Sequence, residues 1–310
     1  MATPTVPAPD PAPQQPRRQA APRRSSTRTS SRTRTRRHRI TALLLLVVIL
    51  VAGAPPGSAG PASPAAAAAW WALDSGPFAR SPRDILTETS PTGAVRVFGD
   101  HPGQDARTAA RETVDALDRA GGLDRRVLSV DLPTGSGWVD PDEVTALERW
   151  AGGDIASVSV RYSAAPSAAV LLLHRDLAVD SARALLHEVV DRVDRRDPAR
   201  RPAIVVHGES LGAFVGTEVL TDPRLDAAVA SRLWQGTPGG AHAGAPTGPG
   251  ARCTVADLND DDPVGQLSTR LLVHPVQALT VLTDLPGSEN RPAGSGHSYR
   301  PVLPPAGCVR

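Results

Sequence analysis

Lysine is absent from the 310 residues, so all 34 basic side chains are guanidinium groups. Aromatic residues make up only 3% of the chain, while Ala, Pro and Gly are abundant, which we read as compositional bias rather than function. No group of His, Cys and Asp has metal-ligand spacing, which excludes a zinc-type centre. The pair Gly135 and Gly137 lacks the third glycine and the ribose-binding acid of a dinucleotide fingerprint. No cofactor is therefore implied. The uncharged run Ile40–Ala54 holds 15 residues, short of the roughly 20 that a comfortable bilayer span needs.

What is present is unevenly distributed. Residues 1–39 carry ten arginines against one acid, Asp10, a balance of +9; the remainder has 24 arginines against 31 acids, a balance of −7. A mildly acidic domain gives nucleic acid no footing as a partner. Residues 1–39 are rich in Arg, Pro, Ser and Thr and cannot bury enough apolar surface to offset chain entropy, so a disordered, cytoplasmic head is expected. Residues 40–59 then act as a signal peptide, cut after Ala59, or as an uncleaved single-pass anchor that attaches the chain to the membrane with the rest outside. Either way residues 60–90 form a linker and residues 91–310 an exported domain. In an exported domain, the two cysteines, Cys253 and Cys308, suggest one disulfide. It would be worth about 4 kcal/mol on the chain-entropy account.

Within the domain, two periodicities alternate. Ala94–Gly99, Val127–Leu132, Ile155–Tyr162, Ala203–Val206, Ser231–Gln235 and Cys253–Leu258 read as strands. Helical spacing covers Asp105–Ala120, Asp140 to about Ala151, and Leu177–Arg195, the last with Leu185, Leu186, Val189, Val190 and Val193 in one stripe. Another helix starts near Leu211, a further one is expected over Asp262–Leu272, and His274–Asp284 is ambiguous between helix and strand. The alternation predicts an α/β fold, with a doubly wound, mostly parallel sheet and helices on both faces.

The candidate site grows from Gly208-Glu209-Ser210-Leu211-Gly212, a G-x-S-x-G pattern between strand and helix. That order is what a nucleophile elbow requires. The serine needs a base, and the base needs an orienting carboxylate, both downstream in this fold. Asp262, before Pro263 in the acidic run after a strand, is the candidate acid; its neighbours Asp260 and Asp261 read as a solvated turn. His297, on the small-residue loop 294–299, is the candidate base; His242 precedes any acid, and His274 in its apolar run reads as a packed side chain. The oxyanion hole would take one N–H from Leu211 and a second from Thr134 or Gly135, in the loop after Val127–Leu132.

These phrases carry a resemblance. Pro133-Thr134-Gly135-Ser136-Gly137-Trp138-Val139-Asp140-Pro141, Gly152–Ala156, Tyr162-Ser163 and Gly208–Phe214 resemble the catalytic domain of actinobacterial membrane-associated α/β-hydrolases. Asp262-Pro263-Val264 and Gly296-His297-Ser298-Tyr299 are similar to that family's acid and histidine motifs. The resemblance implies Ser210, Asp262 and His297 as a catalytic triad. Two features depart from it: at most one membrane segment here against several there, and a shorter, Gly/Ala/Pro-rich segment where a cap would sit.

The expected function is an exported serine hydrolase that cleaves carboxylic esters or thioesters, with a small-molecule or lipid ester as its partner. Two alternatives stay open: an inactive, envelope-anchored binding module of the same fold, and a serine peptidase.

Overall fold

The structure, a computed structural model, describes residues 90–101, 103–164, 174–240, 251–267 and 291–309, with 167, 170, 171, 274, 280, 281 and 288. The expected head, anchor and nearly all of the linker lie outside the described residues. Among the described residues no helix is long and apolar enough to cross a membrane.

Six strands, β1 (Val95–Asp100), β2 (Val127–Leu132), β3 (Ile155–Arg161), β4 (Ala203–Glu209), β5 (Val229–Gln235) and β6 (Thr254–Asp257), form one sheet in the order β1-β3-β2-β4-β5-β6. Every pairing is parallel. Both β2 and β3 are buried along their whole length, as central parallel strands are, and they carry Asp131 and Arg161 inside with them. The winding direction reverses between β2 and β4, the position where open α/β sheets gather reacting groups at the carboxyl edge.

Among the described residues, five α-helices follow from capping and periodicity. They are α1 (Ala106–Arg119), α2 (Pro141–Trp150), α3 (Arg175–Asp194), α4 (Leu211–Val219) and α5 (Pro223–Ala228). Asp105 caps α1 by accepting from the Arg107 and Thr108 amides at 3.1 and 3.0 Å. Asp140 caps α2 from the Asp142 amide at 2.8 Å, with Pro141 in the first helical position, where its missing N–H costs nothing. The expected stripe of α3 is buried in full: Leu185, Leu186, Val189, Val190 and Val193.

The two faces of the sheet are covered differently. On one, Leu147 of α2 and its C-cap Ala151 pack against Val127, Ile155, Val205 and Leu233, with Val302 and Val309 of the C-terminal strap (residues 291–309) beside them. On the other, α4 lies so close that a Cβ on Gly216 would meet the Trp234 ring at 2.4 Å; α3 packs against α4 and α1. Cys253 and Cys308 form a disulfide, S–S 2.05 Å, which ties the end of the strap to the residue before β6.

Three expectations need correction. Where a helix is expected from Asp262, the described residues form a 3₁₀ turn, Pro263–Gln266, capped by Asp262 and followed by an extended Leu267; residues 268–272 lie outside the described residues. The Cys253–Leu258 strand contracts to Thr254–Asp257, with Cys253 in a preceding 3₁₀ turn. His274 is exposed rather than packed, because an imidazole can take solvent even within an apolar run. The ambiguous 274–284 segment lies mostly outside the described residues, as do His242 and loop 241–250.

Candidate active site

Ser210 stands where β4 gives way to α4, at φ 54° and ψ −120°, and is the only non-glycine residue with positive φ among the described residues. Such a conformation costs about 1–3 kcal/mol and persists only where its surroundings over-determine it. Here they do. The Ser210 amide donates to the Gln235 carbonyl at 2.8 Å, fixing the elbow to β5. A Cβ on Gly208 would stand 2.5 Å from the Gly212 carbonyl carbon, and one on Gly212 would stand 2.1 Å from the Leu132 oxygen. The two glycines of the pattern are thus demanded by close backbone approach, not by left-handed geometry. The Ser210 side chain makes no capping bond to α4, so its hydroxyl is not committed to the helix.

Bare Gly212 also brings the loop after β2 against the elbow. Register pairs Leu132 with Gly208, so residues 133–135 and 209–211 run on from that pair side by side. Leu211 opens α4, and its N–H has no intrahelical acceptor. The two loop candidates differ. The Thr134 amide donates to the Trp138 carbonyl at 2.9 Å within its own turn, whereas the Gly135 amide donates to the Ser167 hydroxyl at 2.9 Å. A substrate oxygen can displace a hydroxyl more readily than it can break a backbone turn. Of the two, Gly135 is the better-placed donor.

The acid and the histidine come from opposite ends of the remaining chain. Asp262 follows β6, and His297 sits in the strap 35 residues on, yet His297 Nδ1 lies 2.8 Å from Asp262 Oδ2. Both are buried, at 8% and 5% relative exposure. The Asp262 carboxylate is saturated: Oδ1 accepts from the Val264 amide at 2.8 Å, and Oδ2 accepts from Nδ1 and from the Tyr299 hydroxyl. Burial and the adjacent Asp262 push the Tyr299 phenol up, so it stays a donor. The His297 ring rests on Gly236 (φ 60°), where a Cβ would stand 2.7 Å from Cε1, which seats it at the carboxyl end of β5, next to the elbow strand. The structure therefore brings Asp262 and His297 together, and sets them at the same edge of the sheet as Ser210, Leu211, Thr134 and Gly135.

Sequence reasoning missed the residues that hold this arrangement. Asp261 is not merely solvated. It accepts from the Gly296 amide at 2.7 Å, from the Ser295 hydroxyl at 3.0 Å and from Arg291 at 2.7 Å, and the Gly296 bond leads in holding its carboxyl below the usual range. Asn259 donates to the Gly296 and Ser298 carbonyls at 2.9 and 3.2 Å. One turn after β6 thus grips both sides of the turn that carries His297. The nearest sequence signal was the acidic run itself, which cannot show which carboxylate points at which loop.

A second network lies beneath the strap. His207 Nε2 donates to Gln235 Oε1 at 3.1 Å, and Gln235 Nε2 donates to the Arg300 carbonyl at 2.8 Å. His207 Nδ1 faces Asp131 Oδ1 at 3.5 Å, and Glu143 of α2 accepts the Val302 amide at 2.8 Å. Burial alone would lower the His207 pKa, but the Asp131 and Glu143 carboxylates outweigh it and push it up to about 9. Burial raises the Glu143 carboxyl to about 7 against the opposing pull of His207.

Both shifts mean that the folded protein binds protons more tightly than the unfolded chain does. The His207 contribution is whole below its unfolded value of 6.5 and is lost as pH rises through about 9; that of Glu143 fades as pH rises from 4.5 through about 7. We expect stability to fall by about 4 kcal/mol between pH 6 and pH 9, roughly 10 °C in melting temperature. Thermal unfolding across that range checks it. A slope that survives unchanged in His207→Gln would show that this network is not its source.

Residues 95–245 match the family model of the alpha/beta-hydrolase family. No curated protein matches the chain. The matched stretch runs from β1 past β5 and contains Thr134, Gly135, Ser210 and Leu211, while Asp262 and His297 lie beyond it. Together with the sheet order, the match gives this domain an α/β-hydrolase fold and supports a hydrolase of some kind.

Proposed function

We propose that the protein is a serine hydrolase that cleaves carboxylic esters or thioesters through an acyl-enzyme. The observation that carries the reading is the buried 2.8 Å contact of His297 Nδ1 with Asp262 Oδ2, at the sheet edge where Ser210 is held at positive φ. A saturated Asp262 accepts at Nδ1, fixes the imidazole with Nε2 as its basic nitrogen, and offsets the charge gained when that nitrogen is protonated. In the proposed reaction Ser210 Oγ attacks the acyl carbon and passes its proton to His297. The carbonyl oxygen, now negative, takes hydrogen bonds from the Leu211 amide and the Gly135 amide. His297 returns the proton to the leaving group, and water repeats the sequence on the acyl-enzyme.

A fluorophosphonate probe tests the chemistry. Wild-type protein labels at Ser210; Ser210→Ala abolishes labelling, and His297→Ala slows it by about 10³-fold or more, since nucleophile and base act as a unit. Absence of labelling in correctly folded wild type would overturn the proposal in favour of a binding module that has kept the fold. Export is part of the proposal and rests on the basic head followed by Ile40–Ala54. An impermeant probe on intact cells labels Ser210 if the domain is outside; labelling only after lysis would refute export.

A further inference from the structure

The imidazole of His297 meets a carboxylate at each nitrogen. Asp262 holds Nδ1, and Glu209 Oε1 lies 3.7 Å from Nε2. Glu209 is the last residue of β4 and the immediate neighbour of Ser210, and its side chain is as buried as that of His297, at 7% and 8% exposure. Its place is set by the sheet. Strand alternation puts Glu209 on the same face as His207, and register sets it opposite Gln235, whose amide holds the strap that carries His297. The titratable groups facing the ring include Glu209 from β4, Asp262 from the turn after β6, and Tyr299 from the strap, with its ring edge-on at 5.6 Å. Gly236, after β5, adds no charge.

We infer that Glu209 is a positioning residue that acts through His297 as a second carboxylate, raising the proton affinity of Nε2 and holding the imidazolium in place. This deepens the serine-hydrolase reading and rests on it for its catalytic meaning. As the bond from Ser210 Oγ to the acyl carbon forms, the carbonyl electron pair moves onto oxygen and the Ser210 proton passes to Nε2. The resulting cation then lies between two buried negative charges. When the bond to the leaving group breaks, Nε2 gives that proton to the departing oxygen or sulfur. Glu209 exchanges no proton in this sequence. A charge 3.7 Å away across a poorly solvated gap favours the protonated imidazole. The same effect keeps the base protonated to higher pH in the resting enzyme, so the acid limb of the pH–rate profile sits higher than Asp262 alone would place it.

The test is an NMR titration of the His297 ring in wild type, Glu209→Gln and Glu209→Asp, read alongside the pH profile of kcat/KM on an ester. Removing the charge should lower the His297 titration midpoint and the acid limb together, by about half a pH unit or more, and lower plateau kcat about tenfold. Glu209→Asp, which keeps the charge, should stay near wild type in midpoint. Midpoints that coincide in wild type and Glu209→Gln would overturn the inference, as would equal shifts in Gln and Asp variants, which mean packing rather than charge. A ring midpoint that moves in a protein that neither labels nor turns over ester would uphold the coupling and sink the serine-hydrolase reading instead.

Discussion

Asp262→Asn lowers ester turnover by about 10⁴-fold, the cost of an imidazole left in the wrong tautomer beside an amide that can donate. The geometry makes this the largest effect among the acidic residues of the turn. Asp262 Oδ2 accepts from both His297 Nδ1 and Tyr299, and the side chain is buried. An Asn amide turned toward Nδ1 would reverse that bond; turned away, it would meet the Val264 amide, another donor. Asp260→Asn should change turnover by less than about twofold, as an exposed side chain away from special features does. Asp261→Asn falls between, because it loosens the turn that presents His297 without touching the ring. Steady-state kinetics on the three variants decide the matter. If Asp262→Asn is silent while Asp261→Asn is inactive, the wrong carboxylate has been assigned.

Gly212→Ala destabilises the fold by about 3–5 kcal/mol, at the upper end for a single added methyl group. The new Cβ would lie 2.1 Å from the Leu132 oxygen and 3.0 Å from its carbonyl carbon, and a strand backbone cannot swing aside as a side chain can. Relief requires α4 to withdraw from the end of β2, which separates the Leu211 amide from the loop that holds Thr134 and Gly135. We expect the urea midpoint to drop and probe labelling of any folded remainder to fall with it. Gly265→Ala is the control. Its nearest contacts are the Leu258 methyl groups at 3.5 and 3.6 Å, and its effect should stay within about 0.5 kcal/mol. Equal midpoints for the two variants would refute the account of the elbow.

Local patterns were legible because they are local. Asp105 and Asp140 announce helix starts that the structure keeps, since an N-cap bond spans two or three residues. The apolar stripe of α3 and the β-rich segments that become β2 and β3 show in the sequence for the same reason. The turn at Asp262 was misjudged in extent, because Asp-Pro marks a helical start without saying how far it runs. Long-range partners were illegible. Nothing near His207 says that it meets Asp131 and Gln235, and nothing near Glu209 says that it faces Nε2 of a histidine 88 positions later.

By itself, the sequence determined the alternation of strands and helices, the elbow between β4 and α4, and the carboxylates and histidines available to serve a serine. Those follow from hydrophobic period, capping and the small residues that a tight turn needs, all of which act over a few positions. Only the tertiary structure decided among the rest. It put Asp262 rather than Asp261 on the His297 ring, left the Thr134 amide inside its own turn while turning Gly135 outward, and set Glu209 against Nε2. The reason is geometric. Which of three adjacent carboxylates faces a distant ring depends on sheet order and on how the disulfide-tied strap crosses it, and that register is written in no single stretch of chain.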